Sequence, residues 1–152
     1  EQLVDEVNWR HGEGAWKPVI YLNEHAGPDL IGALASAADV CVVSSLHDGM
    51  NLVAKEFVSL RDDLAGVLVL SRFTGAARSL SDAILVNPYS AHEFADAFHR
   101  ALVMPPAEQA ARMRRLRESV HRHTVYDWAA GLMKNARRLA DRLPAEMVHA
   151  DH

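Results

Sequence analysis

The chain is poor in cysteine. Its 152 residues include a single one, Cys41, so no disulfide can form within it. Cys41 stands in the apolar run Val40-Cys41-Val42-Val43, where a buried, unreactive thiol is expected, and with it a reducing, cytoplasmic compartment. Long hydrophobic runs are also missing. No stretch approaches the roughly 20 apolar residues that a bilayer-crossing helix needs. The opening Glu1-Gln2-Leu3-Val4-Asp5-Glu6 lacks the basic start and apolar centre of a signal peptide, so no membrane partner is expected. Nor is there an excess of positive charge: 16 Lys and Arg against 20 Asp and Glu leave a formal net charge of −4. Such a chain has no overall field for nucleic acid or an anionic surface, although its nine histidines can shift the balance at mildly acid pH. An initiating Met is absent, and the sequence is read as processed, trimmed or a fragment.

What is present is the balance of a folded domain. Hydrophobic residues make up 49% and charged ones 24%, which excludes disorder, collagen and coiled coil. Short β-branched runs alternate with longer helical patterns, the signature of a parallel sheet with crossover helices. Val19-Ile20-Tyr21 reads as a short strand. Asp29 is placed to cap the next helix, whose apolar positions are Leu30, Ile31, Leu34 and Ala35. Val40 to Val43 does not alternate, as expected of a strand buried on both faces. Ser44 to Gly49 reads as a loop and Leu52 to Leu60 as a helix. Val67 to Leu70 and Ile84 to Val86 read as further strands, the last stopped by Asn87-Pro88. From Ala91 the pattern is helical, with Phe94, Ala97, Phe98, Ala101 and Leu102 on one face. A second helix begins at Pro105-Pro106 and a third covers Tyr126 to Leu143. The reading is a single Rossmann-like α/β domain over residues 1–143 with a helical C-terminus, followed by a frayed tail over 144–152. The arginines at 112, 114, 115 and 117 read as a solvated helix face whose stems cover apolar surface.

Several chemistries have no signature here. There is no Gly-x-Gly-x-x-Gly, no Walker phosphate loop, no Cys-x-x-Cys and no His-Glu-x-x-His. His121 and His123 lie two apart on a helix, on nearly opposite sides, and cannot share one ion. His149 and His152 fall in the tail. No metal site is expected.

One loop is different. Asp48-Gly49-Met50-Asn51-Leu52-Val53-Ala54-Lys55-Glu56 leaves the carboxyl end of a strand and enters a helix, the place where open parallel sheets bind ligands. A helix N-terminus offers unpaired N–H groups and about half a positive charge, which suits phosphate. The amides of Met50, Asn51, Leu52 and Val53 are candidate diphosphate donors, and Gly49 allows a close approach or a positive φ. Glu56 can accept from two ribose hydroxyls, and Asp48 from sugar hydroxyls. The same residues are also consistent with Asp48 as a plain helix cap and Lys55 and Glu56 as ordinary surface.

The wording of that segment resembles the signature of the trehalose-6-phosphate synthases, retaining glycosyltransferases of the two-domain GT-B type. Supporting blocks agree in order and spacing: Trp16 to Asn23, Ala38-Asp39-Val40, Gly66 to Ala77 with Ser71-Arg72-Phe73-Thr74-Gly75, and Ile84 to Tyr89. The resemblance runs from about Trp16 to about Leu139. It implies the donor-binding, C-terminal half of an enzyme that transfers glucose from UDP-glucose to glucose-6-phosphate. By resemblance, Asp48 would serve the catalytic centre. With the backbone at Gly49, Met50 and Asn51 it would contact the donor glucose, while Leu52 and Val53 would meet the diphosphate and Glu56 the ribose. His25, Ala26 and Ile31 would lie near the uracil, where the family has a more polar or aromatic start. No cofactor and no obligatory metal is implied. The implied partners are the nucleotide-sugar donor and the N-terminal GT-B half, with homo-oligomerisation left open.

Two departures from the family pattern stand out. His47 replaces the arginine that usually precedes the aspartate, exchanging a permanent planar cation for a group that titrates. The arginine and lysine that neutralise the leaving diphosphate precede the matched region, as does the acceptor pocket. The chain alone is therefore expected to bind donor without transferring glucose. Alternatives of the same fold are a glucosylglycerol-phosphate synthase-like donor half and a non-catalytic regulatory module. An apolar patch is expected where the N-terminal half would dock, with Trp9, Tyr126 and Trp128 as candidate contacts.

Overall fold

The computed structural model describes residues 1–122 and 125–140. The expectations for His123, for 141–143 as the end of the last helix and for the tail with His149 and His152 lie outside them, as do the side chains of Tyr126 and Trp128. The chain divides into two compact units, Glu1–Ile31 and a larger one that begins at Gly32.

The first unit opens with helix α1 (Gln2–His11), which the sequence reading did not anticipate. None of its residues is buried, so its apolar positions Leu3, Val4 and Val7 form too thin a stripe to stand out. A tight turn follows, closed by reciprocal main-chain bonds between Glu13 and Trp16 at 3.2 and 3.0 Å. The expected strand at Val19-Ile20-Tyr21 does not form. Both main-chain groups of Val19 are taken by one side chain, with Asn8 Nδ2 donating to the Val19 carbonyl and the Val19 N–H donating to Asn8 Oδ1, each at 2.9 Å. A strand needs a ladder partner. None lies beside this segment among the described residues, and Ile20, Tyr21 and Leu22 are exposed.

Helix α2 (Pro28–Ala37) starts on proline, whose missing N–H is harmless at the first helical position. Asp29 therefore sits inside the first turn and does not cap the helix.

In the larger unit, β1 (Val40–Val43), β2 (Val67–Ser71) and β3 (Ile84–Val86) form a parallel sheet in the order β1-β2-β3, with Val40 opposite Val67 and Val69 opposite Ile84. Every residue of β2 is buried, as its unbroken apolar pattern requires for a central strand. The same pattern in β1 does not bring the same burial: only Val43 is buried, because β1 is an edge strand. The pleat sends Leu68 and Leu70 to one face and Val67 and Val69 to the other. On the first face they meet Phe57 and Val58 of helix α3 (Leu52–Leu60) and Met113 and Leu116 of helix α5 (Pro106–Arg122). On the second they meet Ala97 and Ala101 of helix α4 (Ala91–Leu102). Helix α6 (Val125–Ala140) completes the described elements. Cys41 is partly buried against the first face, and that burial pushes its thiol up to about 11, an inert group as expected.

Three of the α5 arginines do more than cover apolar surface, and Arg115 donates to Asp82 Oδ1 at 2.6 Å. Arg112 donates to the Asp82 carbonyl at 3.0 Å, and Arg117 donates to the carbonyls of Val58 and Ser59 at 3.1 and 2.9 Å, capping the last turn of α3. No helix among the described residues is long and apolar enough to cross a membrane.

Candidate functional site

Strand β1 delivers Ser44–Asn51 to the N-terminus of α3, on the carboxyl side of the sheet. The cap of α3 is Asn51, not Asp48. Asn51 has φ 55, and its side-chain oxygen accepts from the Ala54 N–H at 2.9 Å. Asparagine is among the few residues that tolerate this left-handed backbone. Asp48 acts one step earlier. Its Oδ1 accepts from the backbone N–H groups of Met50 at 3.2 Å and Asn51 at 3.1 Å, and its Oδ2 accepts from Asn51 Nδ2 at 2.8 Å. The bond from the Asn51 side chain holds the Asp48 carboxyl below the ordinary carboxylate range; partial desolvation opposes this, and the two backbone donors add to it.

This geometry sorts the expected donors. The amides of Met50 and Asn51 are already satisfied by Asp48. Those of Leu52 and Val53 begin α3, where the helix itself provides no acceptor. Of the two roles open to Gly49, the positive φ falls instead to Asn51; Gly49 is exposed, with open space where a Cβ would stand. Glu56, one turn into α3, is exposed, and no hydrogen bond or ion pair among the described residues engages it. Lys55 beside it is half-buried. His25, Ala26 and Ile31 belong to the first unit, where His25 and Ile31 are exposed and Ala26 is half-buried.

The loop after β2 was not anticipated as part of the site. Asp48 and Thr74 pair as an isolated parallel bridge, and the Gly75 N–H donates to the Asp48 carbonyl at 2.9 Å. Thr74 is buried and its hydroxyl donates to the Ser71 carbonyl at 2.9 Å. An aromatic row crosses the loops that follow the three strands. His47 lies against Phe73 with ring centroids 6.2 Å apart, and Phe73 meets Tyr89 edge-on at 5.8 Å. Arg72, next to Phe73, is paired with Glu93 of α4. In the sequence the only sign of this arrangement is a glycine in each of the two loops, which does not reveal that they touch.

Beside the site runs an open apolar groove of about 1040 Å³, walled by Leu46, Tyr89, Phe94, Phe98, Leu102 and Val103. Phe98 and Leu102 share a helix face with the buried Ala97 and Ala101, yet both remain exposed. Among the described residues, no group of three or more His, Cys, Asp or Glu is gathered as a metal site.

Comparison with known proteins shows the family and the fold. The model of "Glycosyltransferase family 20" matches residues 1–138. The chain is 40% identical over 134 residues to the alpha,alpha-trehalose-phosphate synthase [UDP-forming] A of Dictyostelium discoideum, covering 88% of this chain and 18% of that protein. It is 41% identical over 150 residues to the trehalose-6-phosphate synthase of Citrobacter koseri, covering 98% of this chain and 32% of that one. Among solved structures, one described as "Trehalose-6-phosphate from E. coli bound with UDP-2-fluoro glucose" superposes with a TM-score of 0.82 at 38% identity, covering 88% of this chain and 30% of the other. The UDP-forming synthase of Burkholderia vietnamiensis gives 0.83 at 39% identity, covering 92% and 31%. The chain thus spans under a third of the length of these relatives.

Proposed function

Since the chain belongs to glycosyltransferase family 20, we propose that it is the nucleotide-sugar-binding portion of a retaining, UDP-forming glucosyltransferase that makes trehalose-6-phosphate from UDP-glucose and glucose-6-phosphate. The observation that carries this reading is the N-terminus of α3. Among the described residues the amides of Leu52 and Val53 have no hydrogen-bond acceptor there, next to an open Gly49 and one helical turn before a Glu56 that no hydrogen bond or ion pair engages.

In this reading the first turn of α3 supplies N–H groups and the positive end of the helix dipole to the diphosphate, where negative charge grows as the glycosidic bond breaks. Glu56 accepts from the ribose hydroxyls. Asp48, whose carboxylate oxygens hold Met50 and Asn51, presents the loop to the donor sugar. Catalysis is then a matter of placement and charge stabilisation, with no protein nucleophile and no resident metal. The acceptor pocket and the cations that receive the leaving diphosphate come from the N-terminal half of the whole protein, so this portion binds donor and does not turn over alone.

The test is calorimetric titration of UDP, GDP and UDP-glucose into the chain, with Glu56→Gln as the diagnostic variant. Asp48→Ala is less informative, because it also frees the Met50 and Asn51 amides and so disturbs the loop whether or not Asp48 touches a ligand. Selective UDP binding that is weakened in Glu56→Gln supports the reading. Absence of binding by the folded chain, or equal binding by the variant, removes it.

A further inference from the structure

The loop that carries Asp48 is not positioned by its own sequence alone. Its carbonyl at Asp48 accepts from the Gly75 N–H at 2.9 Å, and an isolated parallel bridge joins Asp48 to Thr74 beyond the ends of β1 and β2. The two backbones lie so close at Gly75 that a Cβ there would overlap the carbonyl oxygen of Gly49 and stand 3.0 Å from its carbonyl carbon. Both contacts are to main chain, which has no rotamer with which to yield. The converse does not hold, since a Cβ on Gly49 would meet nothing within 4 Å. The Gly75 side is rigid in its own right. Thr74 is buried and donates to the Ser71 carbonyl, Ser71 Oγ accepts from the Phe73 N–H at 3.2 Å, and the 3-10 turn Gly75–Arg78 follows at once.

The geometry points to Gly75 as a positioning residue of the site: the loop after β2 is a fixed stop against which the Asp48–Asn51 loop is seated, and any side chain at position 75 unseats it. The consequence for ligand binding rests on the donor-site reading above, whereas the seating itself does not. Asp48 and Asn51 are the first to feel a displacement, because the bonds from Asn51 and Met50 to the Asp48 carboxylate span only two or three residues. A loop pushed away by a methyl group loses the alignment of those bonds, and the α3 amides lose the register in which they face a diphosphate.

The experiment places the same methyl on either side of the contact. Gly75→Ala and Gly49→Ala are compared with the unsubstituted chain by circular dichroism, by NMR titration of the Asp48 carboxyl, and by UDP-glucose calorimetry. Gly75→Ala is expected to keep the fold while the Asp48 titration returns toward the ordinary carboxylate range and donor affinity falls by on the order of tenfold to a hundredfold. Gly49→Ala is expected to leave the Asp48 titration in place. A folded Gly75→Ala chain whose Asp48 titration and Gly49 and Met50 amide shifts are unchanged overturns the inference. Hydrogen exchange on the unsubstituted chain gives a test that needs no variant. The Gly75 amide must be protected to the degree of the β2 amides, and rapid exchange there would equally overturn the stop. If the unsubstituted chain binds no UDP-glucose, the donor reading fails while the Asp48 titration still decides the role of Gly75.

Discussion

Asp48 and Asn51 hold each other. The Asn51 side chain donates to Asp48 Oδ2 at 2.8 Å, and its backbone N–H donates to Asp48 Oδ1 at 3.1 Å. Its side-chain oxygen meanwhile accepts from Ala54 at the head of α3. One asparagine in a left-handed conformation thus joins the loop carboxylate to the helix start, and the chemistry proposed for this site depends on that joint.

Asn51→Ala removes the helix cap, the Asn51 bond to Asp48 and a residue suited to φ 55 in a single step. Loss of a cap costs about 1 kcal/mol, and a left-handed non-glycine residue adds about 1 kcal/mol more. The variant should be destabilised by about 2 kcal/mol in urea unfolding. Asn51→Gly, which keeps the backbone preference, should be the milder of the two.

The lowered Asp48 carboxyl makes stability depend on pH with a definite sign. Its folded value lies below its unfolded one, so its contribution is complete above the unfolded value of about 3.9 and is lost as pH falls through the folded value. The urea midpoint of the native chain should exceed that of Asp48→Asn at neutral pH. The gap should close progressively below about pH 4. A gap independent of pH would mean that the bonds to Asp48 do not favour its charged form.

Arg61 is a buried cation whose removal should be costly. Its guanidinium donates to the carbonyls of Ala35, Ser36 and Ala38 at 3.0, 2.6 and 3.1 Å and to that of Ala65 at 3.1 Å, and it lies over the Phe57 ring. These acceptors include the carbonyls at the end of α2, which the helix leaves unpaired. Arg61→Ala strands them and should cost about 3 kcal/mol in equilibrium unfolding. Arg61→Lys should recover only part of this, because an ammonium cannot reach the same fork of acceptors.

The groove along α4 should bind an apolar dye. Phe98 and Leu102 are 40% and 60% exposed on the helix face that also carries the buried Ala97 and Ala101. The double variant Phe98→Ser, Leu102→Gln should lower dye fluorescence with a change in unfolding free energy of less than about 1 kcal/mol, since neither side chain is in the core. An unchanged fluorescence would show that the dye reads some other surface.

The α/β class, the order of the strands and helices from α2 onward and the position of the loop between β1 and α3 were legible in the residues. They rest on local properties: β-branched runs too short for helices, apolar spacing of three to four, and Pro88 and Pro106 as stops and starts. The nine-residue segment Asp48 to Glu56 carried the family likeness together with the four supporting blocks in register, from Trp16 to Tyr89. Burial was less legible. Val40 to Val43 and Val67 to Leu70 have the same unbroken apolar pattern, yet one is an edge strand and the other the centre of the sheet. A pattern records a strand's preference, and only its neighbours decide what covers it. For the same reason Val19-Ile20-Tyr21 reads as a strand but has no ladder to join among the described residues, and the main-chain groups of Val19 bond to Asn8 instead.

Which residue types the site contains was determined by the sequence: an aspartate, a glycine and an asparagine ahead of a helix, and a carboxylate one turn into it. Tertiary structure decided what each of them does. Asp48 binds the loop together, Asn51 rather than Gly49 takes the left-handed turn, and Gly75, 27 positions after Asp48, provides the surface on which the loop rests. The reason is physical. Hydrogen bonds and steric stops between segments far apart in the chain exist only once the parallel pairing of β1 and β2 has brought their two following loops side by side.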